Sequence, residues 1–115
     1  MTETEALDYL ETRAMRHGMT VHDLMEMTPA SVADCPREAC VFWEGKDISH
    51  IQPKSVYPEI AHDPWNMMPE DPDVNRARGA ETMTSSEIND AHWDNWFDAL
   101  LIDLTMTYDT PLGIF

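Results

Sequence analysis

Five prolines fall within twenty residues at the centre of this chain, and they limit what the middle of the fold can be. Proline fixes its own φ angle and lacks the backbone N–H that helices and sheets use, so no long regular element can run through this segment. The pattern predicts an ordered loop over 52–70. The prolines are Pro53, Pro58, Pro64, Pro69 and Pro72.

Short helices are predicted before the proline-rich segment, in a helical N-terminal part over 1–34. The first begins at Thr4 or Glu5, where apolar residues start to recur at helical spacing. Thr20 is a typical capping residue for a second helix. Thr28, followed by a proline, repeats this start signal for a third helix.

A strand pair is predicted next. Residues 39–43 are an apolar run rich in strand formers, and 44–46 can turn the chain into a second strand over 47–51. The two runs are therefore expected to pair as a hairpin.

Two further helices are predicted after the loop. Asp71 as cap, Pro72 at the first position and Gly79 at the end indicate a helix of about two turns. A capping box at Thr84-Ser-Ser-Glu87 opens the longest helix, expected over 84–106. Its large apolar residues should face the core, and an aspartate ladder should face solvent; these are Ile88, Trp93, Trp96, Phe97, Leu100, Leu101 and Leu104, and Asp90, Asp94 and Asp98.

Length and composition predict one α+β domain over 1–115. No segment approaches the roughly 20 apolar residues that span a bilayer, and the N-terminus lacks a secretory pattern. The expected location is therefore the cytoplasm of a host cell, or a virion. With 22 Asp and Glu against 7 Lys and Arg, the net charge of −15 repels nucleic acid at long range and favours basic partners, metal ions or a saline environment.

The only two cysteines, Cys35 and Cys40, cannot complete a four-ligand zinc site. No structural zinc is expected. Reduced thiols are the default, and a local disulfide is the alternative that their spacing allows.

One group of residues, a histidine and two asparagines, has the composition of a catalytic site. The segment Asp47-Ile-Ser-His50-Ile-Gln-Pro-Lys-Ser55 places a histidine at the end of a strand. Asn66 follows in the loop, and Asn75-Arg-Ala-Arg-Gly79 lies on the short helix. This layout can set a general base beside a site for one divalent metal ion, since an asparagine carbonyl oxygen is a ligand for hard ions such as Mg²⁺.

This order of residues resembles the HNH (His-Me finger, ββα-metal) endonuclease family, and most of all the HNH module of the RNA-guided CRISPR effector nucleases. The similarity covers about 41–87. It implies a ββα-metal unit within 39–80, with one Mg²⁺ or Mn²⁺ ion and a nucleic-acid substrate. It further implies that His50 is the general base, that Asn66 holds the loop and that Asn75 binds the metal.

One position departs from the family pattern. The family usually has a metal-binding Asp or His directly before the general base, and this chain has Ser49, a poorer ligand. Asp47 can compensate, as in the related secreted nucleases with an Asp-x-x-His motif. Arg76 and Arg78 are candidates for binding phosphate; the alternative is that they neutralise the acidic residues beside them.

Three functions follow from these observations. The first is an HNH-type nuclease of a phage or mobile element, with His50 as base. The second is an inactive HNH-like scaffold that acts as an acidic interaction module, either a virion structural or accessory protein or a DNA-mimic inhibitor. It would bind a protein partner through the aspartate face of the long helix or through the apolar tail, 107–115. The third is a solvated helical domain without a metal site.

Overall fold

The computed structural model of this protein describes residues 1–109, and the side chains of residues 1–105. In this part of the chain, six helices surround a two-stranded antiparallel sheet, which makes the fold α+β. The helices are α1 (Glu3–Arg16), α2 (Val21–Glu26), α3 (Ala30–Ala33), α4 (Pro36–Glu44), α5 (Pro72–Arg78) and α6 (Ser85–Asp109). The strands are β1 (Asp47–His50) and β2 (Met67–Glu70).

Local capping signals set the beginnings of the first helices. Thr2 and Glu5 form a capping box at α1, and Thr20 and Asp23 form another at α2. The predicted cap at Thr28 is wrong. Its hydroxyl instead donates to the carbonyl oxygen of Leu24 and accepts the indole N–H of Trp43, so it satisfies a buried donor in the core.

The predicted strand over 39–43 is also wrong, because these residues belong to α4. Pro36 suits the first turn of a helix. The helix buries Ala39, Cys40, Phe42 and Trp43 against α1 and α6. A short apolar run fits either a buried strand or a helix, and contact with two other helices decides it here.

The predicted hairpin is wrong for the same reason, since β1 has a different partner. It pairs with β2, with Asp47 opposite Glu70 and His50 opposite Met67. Thus part of the predicted loop is a strand. Pro69 is tolerated there because each strand of a two-stranded sheet is an edge strand.

The second strand leads directly into α5, so the order is strand, loop, strand, helix. The loop, 51–66, holds two short 3₁₀ turns, Pro58–Ile60 and Pro64–Asn66. Gly79 ends α5 with φ of +60°, a conformation that favours glycine.

The long helix α6 begins at the predicted capping box of Thr84 and Glu87. Its expected orientation is wrong for most of the named residues, although Ile88 packs against a core cluster: Trp93, Trp96 and Phe97 are 62%, 50% and 55% exposed. Leu101 and Leu104 are exposed as well.

Small residues hold the core side of α6 instead. Ala91, Asn95 and Ala99 are buried, which lets α6 lie close to its neighbours. Asp98 is on this side too, where it and Asp71 bind the buried ammonium of Lys46 at 2.6 and 2.7 Å. Only Asp90 and Asp94 of the ladder are fully at the surface.

Within the described residues, every helix is too short or too polar to cross a membrane. Residues 110–115 of the predicted apolar tail lie outside the described part of the chain.

Candidate active site

The imidazole of His50 stands at the end of β1, half-buried. Its Nε2 lies 2.8 Å from the carbonyl oxygen of Ala61 in the loop. A carbonyl oxygen only accepts hydrogen bonds, so Nε2 carries the proton and Nδ1 is the basic nitrogen of the neutral ring. This contact therefore fixes both the ring orientation and the tautomer.

Asn66 determines where that carbonyl lies. Its side chain is fully buried, and its Oδ1 accepts the backbone N–H of Gln52 at 2.8 Å. Its Nδ2 donates to the carbonyl oxygens of Gln52 and Ile60 at 3.0 and 3.4 Å. One amide thus ties together the start, middle and end of the loop, and Ile60 is the residue before Ala61.

Three oxygen-bearing side chains meet where α5 crosses β1. The Nδ2 of Asn75 donates to Asp47 at 3.1 Å, and the hydroxyl of Ser49 donates to Asn75 Oδ1 at 2.8 Å. Asp47 and Ser49 share one side of the strand because side chains alternate along it. We call these three residues the oxygen cluster.

Of the oxygen cluster, Asn75 reaches the same cavity as His50. An open cavity of about 350 Å³ is lined by both His50 and Asn75. The same wall includes His17, from the end of α1, and Lys54, from the loop. Burial lowers the pKa of His17, and the nearby positive charges of Arg13, His50 and Lys54 lower it further.

Arg76 and Arg78, the two candidates for binding phosphate, are paired with carboxylates. Arg78 is buried, pairs with both carboxylate oxygens of Glu70 and donates through Nε to Glu87 at 2.9 Å. Exposed Arg76 pairs with Asp73 at 2.6 Å. These contacts favour the alternative, in which the arginines neutralise adjacent carboxylates.

The donor atoms of the oxygen cluster suit a hard cation in type. Mg²⁺ and Mn²⁺ prefer carboxylate, amide and hydroxyl oxygens, and the cluster offers one of each. It holds a single carboxylate, however. In the described part of the chain, no three His, Cys, Asp or Glu side chains come together as a metal-binding group.

The cysteines lie in a separate part of the fold. Cys35 and Cys40 are both free thiols, and Cys40 is buried. Burial, followed by a hydrogen bond to Glu44, raises the pKa of Cys40 to about 11.

His50, Asn66 and Asn75 are predicted from the sequence, whereas Lys54 and His17 of the cavity wall are not. Lys54 had a local signal, since it follows His50 by four residues in the same segment. His17 had none, because only the packing of α1 brings it to the cavity.

Comparison with known proteins adds no relative: no family model, no curated protein and no solved structure matches this chain.

Proposed function

We propose that this chain is an HNH-like protein that cleaves phosphodiester bonds in nucleic acid, with one divalent cation as cofactor and His50 as general base. The observation that carries the proposal is the hydrogen bond from His50 Nε2 to Ala61, on a ring that lines the same cavity as Asn75. A second support is the chain order of strand, loop, strand and helix, the order expected of a ββα-metal unit.

In this proposal, Nδ1 of His50 removes a proton from the water molecule that attacks phosphorus. The hydrogen bond to Ala61 holds the ring in place and stabilises the imidazolium that forms. Asn66 acts indirectly, because it holds the loop that supplies the Ala61 carbonyl oxygen.

Asn75, Asp47 and Ser49 would hold the cation. A bound Mg²⁺ or Mn²⁺ supplies positive charge to the phosphate and to the leaving oxygen. Asp47 brings the only negative charge in the oxygen cluster, while Ser49 and Asn75 bring neutral oxygen atoms. Without a ligand, these side chains satisfy one another by hydrogen bonds.

The test is a cleavage assay on supercoiled plasmid, single-stranded DNA and RNA with Mg²⁺ or Mn²⁺. We expect EDTA to stop cleavage and His50→Ala to reduce it by about 10²- to 10⁴-fold, the usual contribution of a general base. His92→Ala is the matched control, because His92 is an exposed histidine on α6, distant in sequence from the cluster. Intact substrates with the wild-type protein in both metals, or undiminished cleavage by His50→Ala, would overturn the proposal.

The exposed aromatic face of α6 favours a second candidate function, an acidic interaction module. The rings of Trp93 and Trp96 pack edge to face with centroids 5.8 Å apart, and Phe97 extends the same patch. Asp90 and Asp94 lie exposed near it. Such a surface suits a protein partner with an apolar patch and basic residues around it.

Two sets of variants distinguish the nuclease from the interaction module. If the interaction module is the function, Trp93→Ala with Trp96→Ala should release the protein from its native assembly, and His50→Ala should leave the assembly intact. Sedimentation of the assembly from native lysate measures both. A chain that sediments as a free monomer in that lysate argues against this second function.

A further inference from the structure

We propose that His17 and Lys54 form a phosphate-binding subsite on the wall of the His50 cavity, and that its ligand is a phosphodiester group of a nucleic-acid strand. The role of this subsite in cleavage rests on the proposed function, whereas the binding of phosphate does not.

The two residues reach the cavity from different elements. His17 is the residue at which α1 ends, and Lys54 lies in the loop after β1. Both line the cavity that His50 and Asn75 line. A phosphate held between them would therefore lie beside the proposed general base.

The position of His17 is built into the fold. The Nδ1 of His62 is 3.1 Å from the carbonyl oxygen of His17, so the loop is bonded to the end of α1. The preceding loop residue, Ala61, receives the hydrogen bond of His50. Two consecutive loop residues thus connect the backbone of His17, at the end of α1, to the ring of His50.

The described wall of this cavity carries no carboxylate, although the chain as a whole is acidic. The net charge is −15, yet the described residues that line this cavity include His17, His50 and Lys54 and no aspartate or glutamate. The one carboxylate of the oxygen cluster, that of Asp47, accepts a hydrogen bond from Asn75. One lysine ammonium, with two imidazoles beside it and no carboxylate, suits an anion at that place.

Three of the other six cations are paired with carboxylates, whereas Lys54 is not. Lys46 binds two aspartates, and both arginines of α5 bind carboxylates. Among the described residues, no carboxylate lies within ion-pair distance of the Lys54 ammonium. Its N–H groups and the imidazole N–H of His17 can donate to phosphate oxygens, and charge-assisted bonds of this kind are strong.

A purely structural role for His17 is the competing explanation, because a histidine at a helix C-terminus interacts favourably with the helix dipole. That role predicts a change in stability without a change in ligand binding. Binding must therefore be measured directly on folded protein.

The experiment follows the imidazole signals of the five histidines by NMR during titration with inorganic phosphate and, separately, with a thymidine dinucleotide. We expect saturable shifts at His17. In the double variant His17→Gln, Lys54→Gln, affinity should fall about tenfold or more, since one lost charge-assisted hydrogen bond costs at least that factor. Thermal unfolding confirms that each variant is folded.

Arg16→Gln is the matched control. It removes one positive charge next to His17, but Arg16 is exposed and is not part of the cavity wall. We expect it to bind the dinucleotide within about threefold of wild type, because an exposed charge outside the site is screened. An equal loss in Arg16→Gln and in the double variant would overturn the subsite, as would the absence of a saturable shift at His17.

The two probes identify the source of the phosphate. Tighter binding of the dinucleotide supports a nucleic-acid strand, whereas equal or tighter binding of inorganic phosphate overturns that assignment. His50→Gln separates this inference from the proposed function: the variant should lose cleavage and still bind the dinucleotide. If the wild-type protein binds the dinucleotide but cleaves no substrate, the subsite is supported and the nuclease proposal is overturned. If it cleaves but shows no binding at His17, the nuclease proposal is supported and the subsite is overturned.

Discussion

Arg78 and Glu70 form a two-pronged ion pair in which each side chain is only 4% exposed. The pair joins α5 to β2, and the Nε of Arg78 adds Glu87 at the start of α6. The carboxylate of Glu70 raises the pKa of Arg78, so the guanidinium keeps its charge at every accessible pH. This contact fixes α5, and with it Asn75, against β2, which pairs with the strand that carries His50.

Arg78→Ala should therefore destabilise the protein strongly. The change leaves the buried carboxylate of Glu70 without a partner, and breaking a buried pair in this way costs about 3–5 kcal/mol. Urea unfolding measures the loss. Arg76→Ala, which removes an exposed arginine two residues away, is the control and should leave the unfolding midpoint unchanged; similar midpoints for the two variants would contradict the prediction.

Asn66→Ala should loosen the loop that positions His50. The variant leaves the N–H and carbonyl groups of Gln52 without their amide partner, at about 1–3 kcal/mol for each unsatisfied group. Hydrogen exchange over 51–66 should become faster while that of α1 changes little. Trp65→Ala, at the exposed neighbouring position, should not have this effect; unchanged exchange in Asn66→Ala would count against the anchoring role.

Ser49→Asp should strengthen binding of Mn²⁺. The substitution gives the oxygen cluster a second carboxylate, and carboxylates bind hard dications better than hydroxyls do. Mn²⁺ affinity by electron paramagnetic resonance measures the change, with Ser49→Ala as the control of similar size to the wild-type side chain. If Ser49→Asp and Ser49→Ala bind Mn²⁺ equally, the cation is not held at this cluster.

Glu38 gives the stability of the protein a specific pH dependence. Burial, followed by the negative charge of Asp103, raises the pKa of Glu38 above its ordinary value of 4.5. The folded state therefore holds this proton more tightly than the unfolded state, and the stability it contributes below pH 4.5 is lost as the pH rises through the folded pKa.

Glu38→Gln should remove the loss of stability that accompanies ionisation of Glu38 at rising pH. We expect the variant to be more stable than wild type at pH 7, with the difference shrinking towards pH 4, as measured by urea unfolding across this range. Glu11→Gln, at an exposed position on α1, is the control. A stability difference that grows on acidification would have the wrong sign.

The two cysteines should react at very different rates. Cys40 is fully buried and its pKa is about 11, so almost no thiolate forms at pH 8. Cys35 is partly exposed. A disulfide reagent should label one thiol in the native protein, assigned by Cys35→Ser, and both thiols in urea; rapid labelling of Cys40 in the native state would contradict the burial.

Local signals were sufficient where one turn of chain decides the structure. The capping residues Thr20 and Thr84 predicted helix starts that the structure confirms, because a cap acts only on the neighbouring backbone N–H groups. Gly79 likewise ended its helix as predicted. The sequence also predicted His50 at a strand end and Asn75 on a short helix, as the structure has them. The chemical roles of His50, Asn66 and Asn75 stay predictions.

Long-range contacts decided the rest. Residues 39–43 form a helix because α1 and α6 cover its apolar face, and β1 pairs with a strand that lies beyond a proline-rich loop. The aromatic residues of α6 face outward because small side chains, Ala91 and Ala99, permit the closer helix packing.

The sequence by itself determined the starts of α2 and α6, the short helix α5 with its end at Gly79 and the residue types available for chemistry. Only the tertiary structure decided that Lys54 and His17 share a cavity with His50 while Arg78 is withdrawn into an ion pair. The physical reason is range: capping and turn preferences act over three or four residues, whereas burial and charge pairing depend on which distant segments are packed together.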